Sequence, residues 1–488
     1  MQPVRISAKA ILTVVTILVL PGSFIARQAP KPTAPEHPSQ RTQPALSPKP
    51  VLGHQKRMTP EIQQVVREIS AARIQADIEK LVGFYTRQTL SDTGSPTRGI
   101  GAARRWIKSE FERYSKESGG RLEVAFDEFM QPAGQRNPKP VQVVNVVATL
   151  PGTQPESAAR MYVVSGHYDS RVSDPLDSTT FAPGANDDAS GTAAVMEMAR
   201  VMSKHRFAAT IVFMAVAGEE QGLYGSTHWA LSAKARNLDI EGMITNDIIG
   251  SSHAEDGHVD NTHVRLFAEG VPYVNQMSES LRTLVRTGGE NDSIARELAR
   301  KIKESGEQYV PYMHVNIIYR RDRYLRGGDH SPFLDQGYAA VRMTEPNENF
   351  HHQHQDVRKV DGVQYGDLPE FDDFDYIARV ARVNAAALAS LALAPAPPKD
   401  VRVQVAKLEN DTTLQWDAST EPGLAGYIVV WRETTAPYWQ YTRFVGKTTT
   451  YTVKGISKDN YIFGVEAAGK DGNTSQAVYP HPSRPSRQ

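Results

Sequence analysis

Four places in this sequence gather side chains able to hold a cation or move a proton, and apolar runs lead into most of them. Residues 161–165 lead into Gly166-His167-Tyr168-Asp169. A loop then reaches Pro183-Gly184-Ala185-Asn186-Asp187-Asp188-Ala189-Ser190-Gly191, which opens a helix. Residues 210–217 lead into Gly218-Glu219-Glu220-Gln221-Gly222, and residues 242–246 into Asp247. Taken singly, each acid reads as a helix cap or a loop carboxylate facing water. Four such events at successive strand ends read better as one rim, because ligands in an open parallel sheet bind outside the carboxyl ends of its strands. Carboxylates brought this close repel and take up protons unless a counter-charge sits among them. The chain has no cysteine, so thiolate sites, disulfides and iron–sulfur clusters are excluded. A histidine–carboxylate site for divalent cations remains, with zinc as the first choice and manganese or cobalt as substitutes. Two zinc ions against three coordinating carboxylates leave a residual positive charge that favours ionised water, which suits hydrolysis.

The elements that must position these groups follow from patterning. Short β-branched runs at 143–150, 161–165, 210–217, 242–248 and 339–343 alternate with helical patterns at 191–203, 224–234 and 372–393. This predicts an α/β fold with a mostly parallel central sheet flanked by helices. Helical patterns also run through 59–80 and 102–114, and residues 254–316 read as a long, partly helical insertion. After the proline-rich 394–398, period-two alternation takes over (Val401, Val403, Val405; Tyr427, Val429, Trp431; Tyr461, Phe463, Val465). It predicts a C-terminal all-β sandwich over 395–482, with its own core and few contacts across the boundary.

At the N-terminus, Arg5 and Lys9 precede an apolar run over residues 10–20 that ends at Pro21-Gly22. That is the pattern of an export signal over 1–27, so the expected location is secreted or periplasmic, with no stable membrane span after cleavage. Residues 28–55 form a proline-rich linker, with seven prolines between 28 and 50. Basic and acidic residues balance at 55 each, which argues against a nucleic-acid partner held by overall charge.

The segments His167-Tyr168-Asp169, PGANDDASG (183–191), GEEQGLYGS (218–226) and GGDHSPFLDQG (327–337), in this order and spacing, resemble those of the M28 family of di-zinc exopeptidases over about residues 56–394. The resemblance implies a phosphorylase/hydrolase-like α/β/α fold and two zinc ions. By the same resemblance His167 and Asp247 bind metal, Asp187 bridges both ions, Glu220 is a terminal ligand and Glu219 is the general base. Asp169 would orient the His167 ring. The fifth ligand falls within Phe350-His351-His352-Gln353-His354-Gln355-Asp356. A family spacing of four residues before an acid selects His352, with His354 as competitor and His351 behind it. Asp329 and His330 match a family Asp-His pair, equally readable as structural. Tyr324 is offset from an oxyanion-stabilising tyrosine of some relatives. Arg171, just after the first motif, reads first as a surface salt bridge and otherwise as a group binding a substrate carboxylate. The activity implied is hydrolysis of N-terminal residues from peptide or protein substrates. A carboxypeptidase, a glutaminyl cyclase and an inactive receptor or adhesion homologue are the alternatives. The C-terminal unit resembles a fibronectin type III domain, a fold that serves as spacer or extracellular contact.

Overall fold

The computed structural model describes residues 58–272 and 277–483. The export signal and the proline-rich linker lie outside the described residues. Helices α1 (Pro60–Glu68), α2 (Ala71–Val82) and α3 (Gly99–Glu117) precede strands β1 (Glu123–Gln131), β2 (Val141–Leu150) and β3 (Arg160–His167). Then come α4 (Gly191–Met202), β4 (Thr210–Val216), α5 (Tyr224–Ala235), β5 (Asp239–Asn246), β6 (His263–Ala268), α6 (Glu279–Arg286), α7 (Ile294–Tyr309), β7 (His314–Ile318), α8 (His330–Asp335) and β8 (Ala340–Thr344). A small hairpin, β9 (Arg358–Val360) and β10 (Val363–Tyr365), leads to α9 (Phe374–Leu393).

One eight-stranded sheet runs β1-β2-β4-β3-β5-β8-β6-β7. Its middle four strands, β4-β3-β5-β8, are mutually parallel, whereas β1, β2 and the β6/β8 junction pair antiparallel. Period-two geometry divides each central strand between two cores. On β4, Ile211, Phe213 and Ala215 join the core under α4 and α9, while Val212, Met214 and Val216 join the one under α5 and α8. Both faces are covered, so these strands read as continuous apolar runs. Helix α9 has the length and apolarity of a membrane span, yet it is almost entirely buried in this protein. The expected insertion at 254–316 is instead partly sheet. It holds β6 and β7, which extend the central sheet beyond β8. Their mixed composition (His263, Arg265, His314, Asn316) hid them, because only some of their side chains are buried.

The C-terminal strands β11 (Arg402–Gln404), β12 (Thr412–Gln415), β13 (Leu424–Glu433), β14 (Tyr441–Gly446), β15 (Thr450–Val453), β16 (Tyr461–Gly469) and β17 (His481–Ser483) form a four-stranded and a three-stranded sheet. Leu414, Trp416, Tyr427, Val429, Trp431, Phe463 and Val465 share their core. The expectation of few contacts with the rest of the chain is not met. Buried Arg432 of β13 donates to both oxygens of Asp292, at 2.7 and 2.9 Å. Arg300 of α7 donates to the Pro437 carbonyl at 2.8 Å, and Trp439 Nε1 to Glu297 at 3.2 Å. Gln476 reaches the Glu241 carbonyl at 3.0 Å. The prolines at the boundary turn the chain; they carry no information about which surfaces then meet.

Candidate metal centre

His167 is the last residue of β3, Asp247 the first after β5, and Glu219-Glu220 follow β4 by a short turn. These three strands are adjacent and parallel, so their carboxyl ends deliver the four side chains to one spot. Asp187 comes from the loop that opens α4. Gly191 brings that helix against β5: a Cβ there would lie 2.2 Å from the Asn246 carbonyl oxygen. Asp188, joined to Asp187 by a cis peptide bond, turns away from the cleft. Its carboxylate accepts from the amides of His167 (2.9 Å), Gly191 (3.0 Å) and Ile248 (3.3 Å), which ties the three chain segments together.

The six implicated groups form two sets. His167, Glu219 and Asp247 make one, and Asp187, Glu220 and His354 the other, each with donor atoms within 4.8 Å of one another. Asp187 faces both histidines: Oδ1 is 3.1 Å from His167 Nε2 and Oδ2 is 2.9 Å from His354 Nε2. His354 Nε2 is also 3.1 Å from Glu220 Oε2, and His167 Nε2 is 4.0 Å from Asp247 Oδ1. His352, which the four-residue spacing selected, is in neither set. Its ring stacks on Phe371, centroids 3.7 Å apart. The reason is a turn of the backbone. His354 adopts a left-handed conformation (φ 56°), costly for a side chain with a Cβ, and its ring meets Asp187 and Glu220. Counting residues cannot register that reversal. His351 is 3.6 Å from Glu255.

The neighbours fix orientation. Asp169 contacts His167 Nδ1 through its carbonyl (3.2 Å) and carboxylate (3.4 Å), leaving Nε2 to face the cleft. The same carboxylate accepts from the amides of Glu219 and Glu220 and from Thr89. Asp367 accepts from the amides of Asn186 (2.9 Å) and Asp187 (2.7 Å), and burial pushes its carboxyl up to about 7. Two buried arginines escaped the sequence reading. Arg87 donates to the carbonyls of Tyr168, Pro183 and Gly184, clamping the two loops that carry His167 and Asp187. Arg342 of β8 places Nη2 2.9 Å from Asp247 Oδ1 and Nη1 3.3 Å from Asp322. A charged residue inside an otherwise apolar strand is the signal that could have found it.

Asp329 is buried beside this cluster, and burial pushes its carboxyl up to about 7. His330 turns elsewhere: Nε2 meets the Arg321 carbonyl at 2.7 Å, and burial holds the ring down to about 4. Asp329 and His330 therefore do not act as a hydrogen-bonded pair. Tyr324 is 78% exposed and accepts from Arg320.

The electrostatics call for cations. Burial raises Glu219 well above the usual carboxylate range, and Asp247 and Glu220 add to it. Burial would raise Asp187 too, but His354 and His167 hold it well below that range. Burial opposes a charge on His354, yet Glu220 and Asp187 raise it to about 10. His167 Nε2 and Glu220 Oε1 are buried without a hydrogen-bond partner among the described residues. Buried carboxylates and imidazoles converging in this way fit zinc-type cations by ligand type. The cleft above them holds about 530 Å³ and is walled by Leu223, Leu325 and Phe350 on its apolar parts.

Residues 145–368 match the model of peptidase family M28. A protein of Leptosphaeria maculans named "probable zinc metalloprotease" is 52% identical over 86% of this chain and 97% of its own length. One of the same name from Pyricularia oryzae is 51% identical over 86% of this chain and 84% of its own. Among solved structures, the Legionella pneumophila LapA aminopeptidase gives a TM-score of 0.48 at 20% identity, over 70% of this chain and 76% of that one. The Fimbriiglobus ruber glutaminyl cyclase gives 0.46 at 18%, over 66% and 95%. With a curated relative 52% identical over 97% of its own length and residues 145–368 matching the family model, the chain belongs to peptidase family M28.

Proposed function

We propose that this protein is a secreted zinc metallopeptidase that removes N-terminal residues from peptides. The observation that carries the metal reading is Asp187, whose two oxygens face two different histidines from opposite sides at 3.1 and 2.9 Å. His167 and Asp247 would hold one zinc ion, His354 and Glu220 the other, and Asp187 would bridge them. Manganese or cobalt could substitute, since the donor set is the same. When bound, the ions would supply Lewis acidity toward the scissile carbonyl and lower the pKa of bound water toward neutral pH. Glu219 stands beside this centre without being needed as a ligand. Its carboxylate accepts the proton of the attacking water as the C–O bond forms. It returns that proton to the leaving nitrogen as the C–N bond breaks.

Every group the reaction needs is present, which favours an enzyme over an inactive adhesion homologue and, with both sets of donors complete, over a cyclase. Export rests on the charged-then-apolar N-terminus. We read the C-terminal sandwich as fibronectin type III-like, available for extracellular contacts. The test is elemental analysis together with hydrolysis of aminoacyl p-nitroanilides. Two zinc ions per chain and release of p-nitroaniline, lost on chelation, are expected. A protein with neither metal nor turnover would end this reading.

A further inference from the structure

The cleft over the metal centre is lined by four carboxylates (Asp187, Glu219, Glu220, Asp247) and by four arginines, Arg136, Arg171, Arg323 and Arg326. The arginines fall into two kinds. Arg323 and Arg326 are spent on Glu348, at 2.9 and 3.1 Å. Arg171 donates to the Val172 and Ser173 carbonyls, and its nearest carboxylate among the described residues, Glu220, is 4.0 Å away. Arg136 donates to the Glu220 carbonyl at 2.7 Å and is exposed. Two guanidiniums therefore flank Glu220 at the cleft wall with no carboxylate of their own in close contact. Two divalent cations offset the four lining carboxylates, and the cleft then carries the arginines' positive charge. A fork-shaped donor pair beside the reacting bond suits a carboxylate.

Resting on the aminopeptidase reading above, we infer that Arg171 and Arg136 bind a substrate carboxylate, so that the preferred substrates are peptides with an anionic group within a residue of the scissile bond. That group is either the side chain of an acidic N-terminal residue or the free C-terminus of a very short peptide. Two pairs of probes separate these sources: Glu- against Gln-p-nitroanilide, and Leu-Gly against Leu-Gly amide. Within each pair only the charge changes. In the zinc-loaded protein the acidic member of one pair should have a kcat/KM at least about ten-fold above its neutral partner, the range of a charge-assisted hydrogen bond. That ratio should fall about ten- to hundred-fold in Arg171→Gln and less in Arg171→Lys, with zinc content unchanged. Arg136→Gln, at an exposed position, serves as the second variant and should lower the same ratio. Ratios near one for both pairs in the unaltered protein, or ratios that neither glutamine variant moves, overturn the inference. If no probe is hydrolysed, the aminopeptidase reading fails on its own account. Calorimetric binding of Leu-Gly and its amide to the zinc-loaded protein still tests the arginines, and equal affinities overturn their role.

Discussion

Exchanging His354 and His352 separately for alanine puts the geometry of the second metal set to a direct test. His354 Nε2 lies 2.9 Å from Asp187 and 3.1 Å from Glu220, so His354→Ala removes one of three converging donors. Residues that merely orient a ligand cost about 10–100-fold in metal affinity when lost. Losing a donor itself should therefore exceed about 100-fold, or ~2.7 kcal/mol. Against a chelating dye of intermediate affinity, zinc stoichiometry should drop from two to one. His352→Ala instead removes a ring stacked on Phe371 at 3.7 Å with an interplanar angle of 9°. Such a contact is worth about 0.5–1.5 kcal/mol, visible as a small loss in Tm while both zinc ions stay. The His352 ring, pushed down to about 4 by burial and by His351, is neutral at pH 7, so its loss changes no charge near the metals. If His352→Ala sheds an ion and His354→Ala keeps both, the left-handed turn at His354 does not present its ring to the cleft, and the reasoning fails.

Four further outcomes follow from other observations. Glu219→Gln should keep both ions, measured by elemental analysis, and lose about 10²–10⁴-fold in kcat, whereas Glu220→Gln should weaken one ion and regain activity in added zinc. Asp77 is raised to about 7, first by burial and then by Glu110 and Glu197. A carboxyl raised in the folded state costs nothing below its unfolded value near 4, and lowers stability progressively as pH rises to about 7. Asp77→Asn should therefore raise the unfolding free energy measured in urea at pH 8, by up to about 4 kcal/mol from the shift and less where solvent reaches the group, with no gain at pH 4. Arg432→Met takes the bidentate partner from buried Asp292 and leaves it Arg300 at 3.2 Å, so it should cost less in chemical unfolding than the about 3–5 kcal/mol of a fully unpaired buried charge. By the same contacts, a chain cut near residue 396 should lose stability rather than persist as an independent peptidase, as thermal unfolding of the truncated protein would show.

The parts of this molecule that were legible from sequence share a physical property: their signal is local. A run such as residues 210–216 is apolar throughout because both faces of a central parallel strand are covered, and an ionisable cluster directly after it can only sit at the strand's carboxyl end. Strands β3, β4, β5 and β8 were visible on that logic, and so were the positions of His167, Glu219, Glu220 and Asp247. What stayed hidden depends on contacts between distant residues. Strands β6 and β7 are edge elements whose partly exposed side chains mix polar with apolar. Arg342 acquires meaning only where β8 lies beside β5 and its guanidinium meets Asp247 and Asp322. The choice between His352 and His354 turns on the sign of one backbone angle, which no spacing rule encodes. The surface joining α7 to the C-terminal sheets is built from Asp292, Glu297, Arg300 and Arg432. Nothing in their local sequence marks these charges as buried. A charged residue is soluble surface or buried joint according to whether its partners arrive: for Asp292 one, Arg300, lies eight residues on, and the bidentate one, Arg432, 140 residues later.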